Sequence, residues 1–210
     1  LEKSHSDKDD LSNVLRYHER TIAKNLHQQM QAHFWEKSAG FEVKILKGWM
    51  ALKECPFNAE EGNDALNFRT TPVKKSEIRK NIYTGFSKCL YPHQKFDSDA
   101  ERRFAEVLEN DSTVEKWFKP ASGQFQLYYR IGTQGEKGYE PDFVIETKTH
   151  RYLAEVKAAN ELKAVDVVAK AEAGKLFCDQ ATEHTTGKPW QYLLISDQKI
   201  APNMTVKAFA

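Results

Sequence analysis

Asp142, Glu155 and Lys157 are the residues of this chain whose types and spacing could do hydrolytic chemistry together. They stand in the stretch GYEPDFVIETKTHRYLAEVKAA, residues 138–159, which reads as two β-strands joined by a tight turn. If the turn centres on Lys148–Thr149, cross-strand partners have numbers summing to 297. Glu146 then faces Arg151, Val144 faces Leu153 and Asp142 faces Glu155. A four-residue loop from Thr147 to His150 gives the same pairing. Directly opposed residues share a sheet face with Cβ atoms roughly 5 Å apart, and alternation puts Lys157 on that face too. An odd loop would shift the register by one and send Glu155 to the other face.

Two carboxylates set opposite one another destabilise a sheet unless something offsets their repulsion. A cation, a raised pKa or solvent could each do so. A divalent ion is the offset that carries function. Mg²⁺ takes oxygen ligands in an octahedron and keeps several waters. The Asp142 and Glu155 carboxylates with the Val156 carbonyl would leave positions for water and a phosphate oxygen. Such an ion lowers the pKa of a bound water and stabilises charge on a phosphoryl transition state. Lys157 would orient or deprotonate that water, or neutralise the phosphate. Base work would require its pKa to fall. The competing reading is a hairpin with charges on its wet face, but the flanks FVI and YLA are apolar and mark buried strands.

The surrounding elements must supply a scaffold. Residues 1–10 are polar. From Leu11 to about Lys37, Leu15, Ile22, Leu26 and Met30 recur on one face of an amphipathic helix. An extended segment, 40–53, and a loop rich in Pro, Asn and Gly follow. Residues 78–90 read as a strand or a short helix. Residues 96–111 form a helix capped by Asp97 or Ser98, with Glu101 three residues after Ser98 and an apolar face of Phe104, Val107 and Leu108. This element runs into VEKWFKP and stops at Pro120. QFQLYYRIG is a strand, TQGEKG a turn, and the hairpin comes next. A second helix spans about 161–183, capped by Asn160, with a buried stripe of Val165, Val168, Ala169, Leu176 and Phe177. WQYLLIS, 190–196, is a strand. The order α-β-β-β-α-β predicts a mixed sheet with helices packed on it.

Composition narrows the field. The chain has 210 residues, 40% of them hydrophobic, with 12 Phe, 8 Tyr and 4 Trp, enough to bury a core. No apolar run approaches the roughly 20 residues of a membrane helix, and no secretory pattern opens the chain. Cys55, Cys89 and Cys178 are odd in number and far apart, which argues for a reducing compartment and against disulfides or a cysteine zinc site. His18, His27 and His33 lack a ligand spacing, and no P-loop motif occurs. Net charge is +1. Residues 1–94 hold 15 Lys and Arg against 12 Asp and Glu, and residues 95–210 hold 16 against 18. Between Arg69 and Leu90 six basic residues accompany one acid, a linker or a patch for a nucleic-acid backbone.

With Pro141-Asp142 and Glu155-x-Lys157 on adjacent strands, the chain resembles a PD-(D/E)xK nuclease core. The closer resemblance is to the C-terminal endonuclease domain of the type III restriction enzyme Res subunit. The resemblance covers roughly residues 78–210, through YPHQKFDSDAERRFAEVLE, VEKWFKP, YEPDFVIET, YLAEVKAANEL and KPWQYLLIS. It implies a restriction-endonuclease-like mixed β-sheet flanked by helices over 95–210, preceded by a helical and mixed connector over 1–94. It implies double-stranded DNA cleavage with Mg²⁺, or Mn²⁺ in its place, in the bacterial cytoplasm. Asp142 and Glu155 would hold the metal and Lys157 would be the catalytic lysine. Glu101 would be a further metal-site acid, with a capping box as its local alternative, and Lys170 a phosphate contact. Tyr139 and Trp190 are read as packing. ATP would act only through a helicase or translocase motor elsewhere on a longer chain, of which this sequence, beginning at Leu1, is read as the C-terminal part. A modification subunit would read the DNA sequence, and two nuclease domains would pair transiently to cut both strands. A non-catalytic DNA-binding or docking module of such a motor is the rival, and RNA or branched substrates stay open because this chemistry acts on phosphates rather than bases.

Overall fold

A computed structural model describes residues 8–33, 51–55, 57, 65–71, 74–131 and 134–210. Packing divides the chain into two units, 1–42 and 43–210. The first contains the helix α1, Lys8–His33. Of its apolar stripe, Leu15, Leu26 and Met30 are exposed and Ile22 is half-buried. The expected end of that helix at Lys37, and most of the extended segment 40–53, lie outside the described residues.

The second unit contains, in order, β1 (Leu66–Asn67), a 3-10 helix (Lys75–Lys80), β2 (Tyr83–Thr84), α2 (Asp99–Asn110), β3 (Val114–Phe118), β4 (Leu127–Ile131), β5 (Gln134–Tyr139), β6 (Phe143–Thr147), β7 (Arg151–Lys157), α3 (Val165–His184) and β8 (Trp190–Ser196). Two further 3-10 turns, Asp197–Lys199 and Val206–Phe209, close the chain. The central sheet has the order β3-β6-β7-β8. Its β3–β6 and β6–β7 pairs are antiparallel and its β7–β8 pair is parallel, so the sheet is mixed. β4 and β5 form a separate antiparallel hairpin.

Alternation along β6, β7 and β8 builds two cores. Phe143, Ile145, Tyr152, Ala154, Val156, Leu193 and Ile195 face α2, where Phe104, Ala105, Val107 and Leu108 are fully buried. Each such large side chain contributes roughly 1.5–3 kcal/mol on burial. Val144, Leu153 and Tyr192 point to the other face, against α3 and the β4–β5 hairpin. The α2 core reaches back along the chain. Phe68, Ile78, Tyr83 and Phe96 belong to it, and the buried Arg102 donates to the Phe68 carbonyl at 2.8 Å. Residues 66–94, read from sequence as connector, are thus packed in the same unit as the hairpin.

The helix 96–111 forms as Asp99–Asn110 with Ser98 as its cap. VEKWF, expected to prolong that element, is instead the strand β3. A bulge between Val114 and Lys116 puts the buried Val114 and Trp117 three residues apart, a helical spacing inside a strand. TQGEKG, expected as a turn, contributes to β5, whose Gly-rich sequence is held extended by pairing with β4. Segment 78–90 supplies the end of the first 3-10 helix and β2, and Cys89 bridges to Trp117 along the β3 edge.

α3 begins at Val165 after Ala164, with no side-chain cap, rather than at Glu161 after Asn160. Its expected buried stripe is present only in part, Ala169 and Phe177 packing against the core. Val165, Val168 and Leu176 are 68%, 41% and 45% exposed, while Val167, Ala171, Gly174 and Cys178 are buried. The face against the sheet is made of small residues because the helix lies close to two tyrosines. A Cβ at Gly174 would sit 2.4 Å from Tyr192 ring atoms and 2.8 Å from the Tyr139 hydroxyl. Gly174→Ala is therefore expected to destabilise the fold by about 1–3 kcal/mol despite alanine's better helix propensity. A urea midpoint at or above the wild-type value would contradict this close approach.

Candidate active site

The even register is present. Phe143 pairs with Ala154, Val144 with Leu153, Ile145 with Tyr152 and Glu146 with Arg151. The connection is held by its own first residue. Thr147 N–H donates to the His150 carbonyl at 2.8 Å, and Thr147 Oγ1 bonds both the carbonyl and the N–H of His150. Lys148 N–H donates to Thr113, just before β3, at 3.0 Å. Neither Lys148 nor Thr149 has positive φ, so the Thr147 side chain and the neighbouring strand hold this turn without mirror-image geometry.

What happens at the far end of the ladder follows from Pro141. The Thr147–His150 hydrogen bond sets the hydrogen-bonded pairs at 145/152 and 143/154, and the next would fall at 141/156. Proline has no N–H, so the Val156 carbonyl is left without its ladder donor. The Val156 N–H goes to Asp142 Oδ2 at 2.8 Å. Asp142 is held by that bond at the mouth of the hairpin, just beyond the last pair, Phe143–Ala154, and near enough to Glu155 to feel its charge.

Glu155 is 4% exposed. One of its oxygens pairs with Lys157 Nζ at 2.8 Å. The other, Oε2, is buried with no hydrogen-bond partner among the described residues. Asp142, Val156 and Lys157 line a pocket of about 270 Å³ together with Glu101, Asp97, Ser98 and Arg79. Burial, followed by the Glu155 and Glu101 charges, pushes the Asp142 carboxyl up to about 7, against the pull of Lys119 and Lys157. Burial pulls the Lys157 ammonium down, but Asp142 and Glu155 outweigh it and hold its pKa above the ordinary lysine value. In the metal-free chain its pKa is therefore not lowered in the way that base work requires.

Glu101 lies in the same pocket and is 5% exposed. It completes a capping box. Ser98 Oγ accepts its N–H at 3.2 Å and donates to its Oε1 at 3.2 Å, while Oε2 accepts the Asp97 N–H at 3.1 Å. Oε2 also pairs with Lys119 Nζ. Capping and site placement are thus both present in one residue. Lys119 escaped the sequence reading. It follows β3, is pinned between Glu101 and Asp97 (3.6 Å), and packs over the Phe96 and Phe143 rings at 5.8 Å. Burial lowers its pKa, yet the Glu101 and Asp142 charges hold it above the usual value. Its sequence signal was slight, a lysine before Pro120.

Neither Lys170 nor Glu155 lines this pocket, and Lys170 lies near enough to Glu155 to feel its charge. It pairs with Asp166 one helical turn away at 2.7 Å and lies over the Tyr129 ring. Tyr139 and Trp190 pack: the Tyr139 hydroxyl donates to the Lys170 carbonyl at 2.8 Å, and Trp190 meets Phe125 and Phe177. The three cysteines are free thiols. Among the described residues no three or more His, Cys, Asp or Glu are grouped to hold a metal, so the candidate oxygen set is the two carboxylates and the Val156 carbonyl. Among the same residues no helix is long and apolar enough to cross a membrane. The chain matches no protein-family model and no curated protein.

Proposed function

We propose that the chain carries a Mg²⁺-dependent endodeoxyribonuclease site on a restriction-endonuclease-like fold. In this reading it is the cleavage domain of a type III restriction Res subunit, and its partners are double-stranded DNA, a motor on the same full-length chain and a modification subunit. The observation that carries the reading is the end of the hairpin ladder. Pro141 frees the Val156 carbonyl, Asp142 takes the Val156 N–H, and Glu155 keeps a buried oxygen without a partner.

These groups suit a hard divalent cation. Two neighbouring carboxylates, one of them with an orphaned buried oxygen, and a carbonyl without a ladder donor form an oxygen-only donor set. Asp142, Glu155 and Val156 would hold the ion, which when bound supplies an acidified water and charge stabilisation at the phosphate. Lys157, kept protonated by its acid neighbours, neutralises the phosphate and orients the attacking water by donating a hydrogen bond. Glu101 fixes the start of α2 and anchors Lys119. Its oxygens already accept from three groups, so its part in the reaction is to position this wall of the pocket. Titration calorimetry tests the donor set. One Mg²⁺ or Mn²⁺ per chain is expected to bind, and Glu155→Gln should weaken binding at least about tenfold. No binding, or binding indifferent to Glu155→Gln, would favour a docking module.

A further inference from the structure

The pocket is acidic for a site that must take a phosphodiester. Asp97, Glu101, Asp142, Glu161 and Asp197 line it, against Arg79 and Lys157. Lys157 shares its charge with Glu155, 2.8 Å away. Arg79 is different. It is exposed at the rim, on the first 3-10 helix, and among the described residues no carboxylate lies within ion-pair distance of its guanidinium. Its Nε donates to the Asp97 carbonyl at 2.8 Å. That bond orients the planar fork and leaves the terminal N–H groups without a partner among the described residues.

The other basic residues of the 69–90 stretch with described partners serve the fold. Arg69 bonds Asn110 and covers the Phe68 ring, Lys88 donates to the Asp111 and Leu108 carbonyls, and Lys74 meets Glu77. We propose that Arg79 is the phosphate clamp of this pocket, holding a backbone phosphodiester of the nucleic acid beside Asp142 and Lys157. The proposal rests on the nuclease reading for its substrate class. The guanidinium fork matches two phosphate oxygens, and a pre-aimed fork loses less freedom on binding than a lysine would. Approach of a polyanion to five acids needs such a fixed cation at the entrance.

Equilibrium binding of a fluorescent DNA duplex, followed by anisotropy in EDTA from about 50 to 200 mM salt, isolates this contact from hydrolysis. Arg79→Ala is expected to weaken binding about 3–10-fold at the lower salt and to reduce the slope of log K against log salt by about 1. Arg79→Lys should restore the slope and only part of the affinity. The melting temperature of each variant serves as the check on folding, since a purely structural role would leave the salt slope unchanged. Wild-type affinity and slope in Arg79→Ala, or no DNA binding by the wild type, would overturn the clamp. Arg79-dependent binding with no Mg²⁺-dependent cleavage by the wild type would instead overturn the nuclease reading and leave the clamp standing.

Discussion

Asp142→Asn is expected to abolish DNA cleavage and, in the absence of metal, to stabilise the protein. Both effects come from one environment. In the proposed site Asp142 supplies one of two carboxylates to the cation, and losing several kcal/mol of charge stabilisation corresponds to a rate loss of about 10³-fold or more. Lys157→Ala should reduce cleavage on a similar scale by removing the cation that meets the phosphate. Stability runs the other way. Burial and the Glu155 charge raise the folded-state pKa of Asp142 to about 7, well above the roughly 3.9 of an unfolded chain. A carboxyl with a raised pKa stabilises the fold while protonated. Its contribution is complete below pH 4 and is lost as pH rises through 7. Above that pH the ionised carboxylate opposes folding, and asparagine removes the charge while its oxygen can still accept the Val156 N–H. Denaturation in EDTA at pH 8 should therefore find Asp142→Asn more stable than wild type, by on the order of 1 kcal/mol. Addition of Mg²⁺ should stabilise the wild type selectively and shrink that gap. Wild-type cleavage in Asp142→Asn, or equal stability in EDTA at pH 8, would contradict this account of the pair.

Glu109→Ala is expected to cost the most stability of any single change considered. Glu109 is 8% exposed near the end of α2. It accepts from Ser87 N–H at 2.8 Å and Ser87 Oγ at 2.7 Å, from the Lys88 and Cys89 N–H groups at 3.0 and 3.2 Å, and from Trp117 Nε1 at 2.8 Å. One carboxylate thus ties α2, the 87–89 loop and the β3 core together. Alanine would leave five donors without an acceptor, most of them in or beside the core, at a cost of about 3–5 kcal/mol. Burial raises the Glu109 pKa, but the Ser87, Trp117 and Lys88 hydrogen bonds outweigh it and leave the carboxyl below its ordinary value. A depressed carboxyl contributes its stability above the unfolded pKa, roughly 4.3, and loses it as pH falls through the folded value. Chemical denaturation at pH 7 and at pH 3.5 should show the penalty of Glu109→Ala narrowing in acid. A variant within about 0.5 kcal/mol of wild type at pH 7 would show that the five bonds are replaceable by water.

The elements around the hairpin were legible to different degrees, for reasons that can be traced residue by residue. The two strands and their short turn could be read because the flanks, FVI and YLA, are apolar, while the parity of the turn is set by the Thr147–His150 bonds. The cap at Ser98 could be read because a capping box is a local interaction. Strand β3 was hidden by its bulge, and β5 by a sequence with no strand character of its own. Of the residues expected on the buried face of α3, Ala169 and Phe177 pack inward and the others do not, because bulk is not what decides burial there. Close approach to Tyr139 and Tyr192 instead selects Gly174, Ala171 and Cys178 and turns Val165, Val168 and Leu176 outward.

Taken by itself, the sequence determined two apolar strands joined by a short turn, and which groups an even turn would gather, Asp142, Glu155, Val156 and Lys157, because a period of two is a local constraint. Tertiary structure decided what those groups meet. Glu101 and Lys119 reach the site from elements 18 residues apart in the chain. Arg79 arrives from a segment that packs against α2. No spacing rule connects them, since their meeting depends on how α2 and its neighbours fill the core beneath the sheet, and their charges then set the state of Asp142.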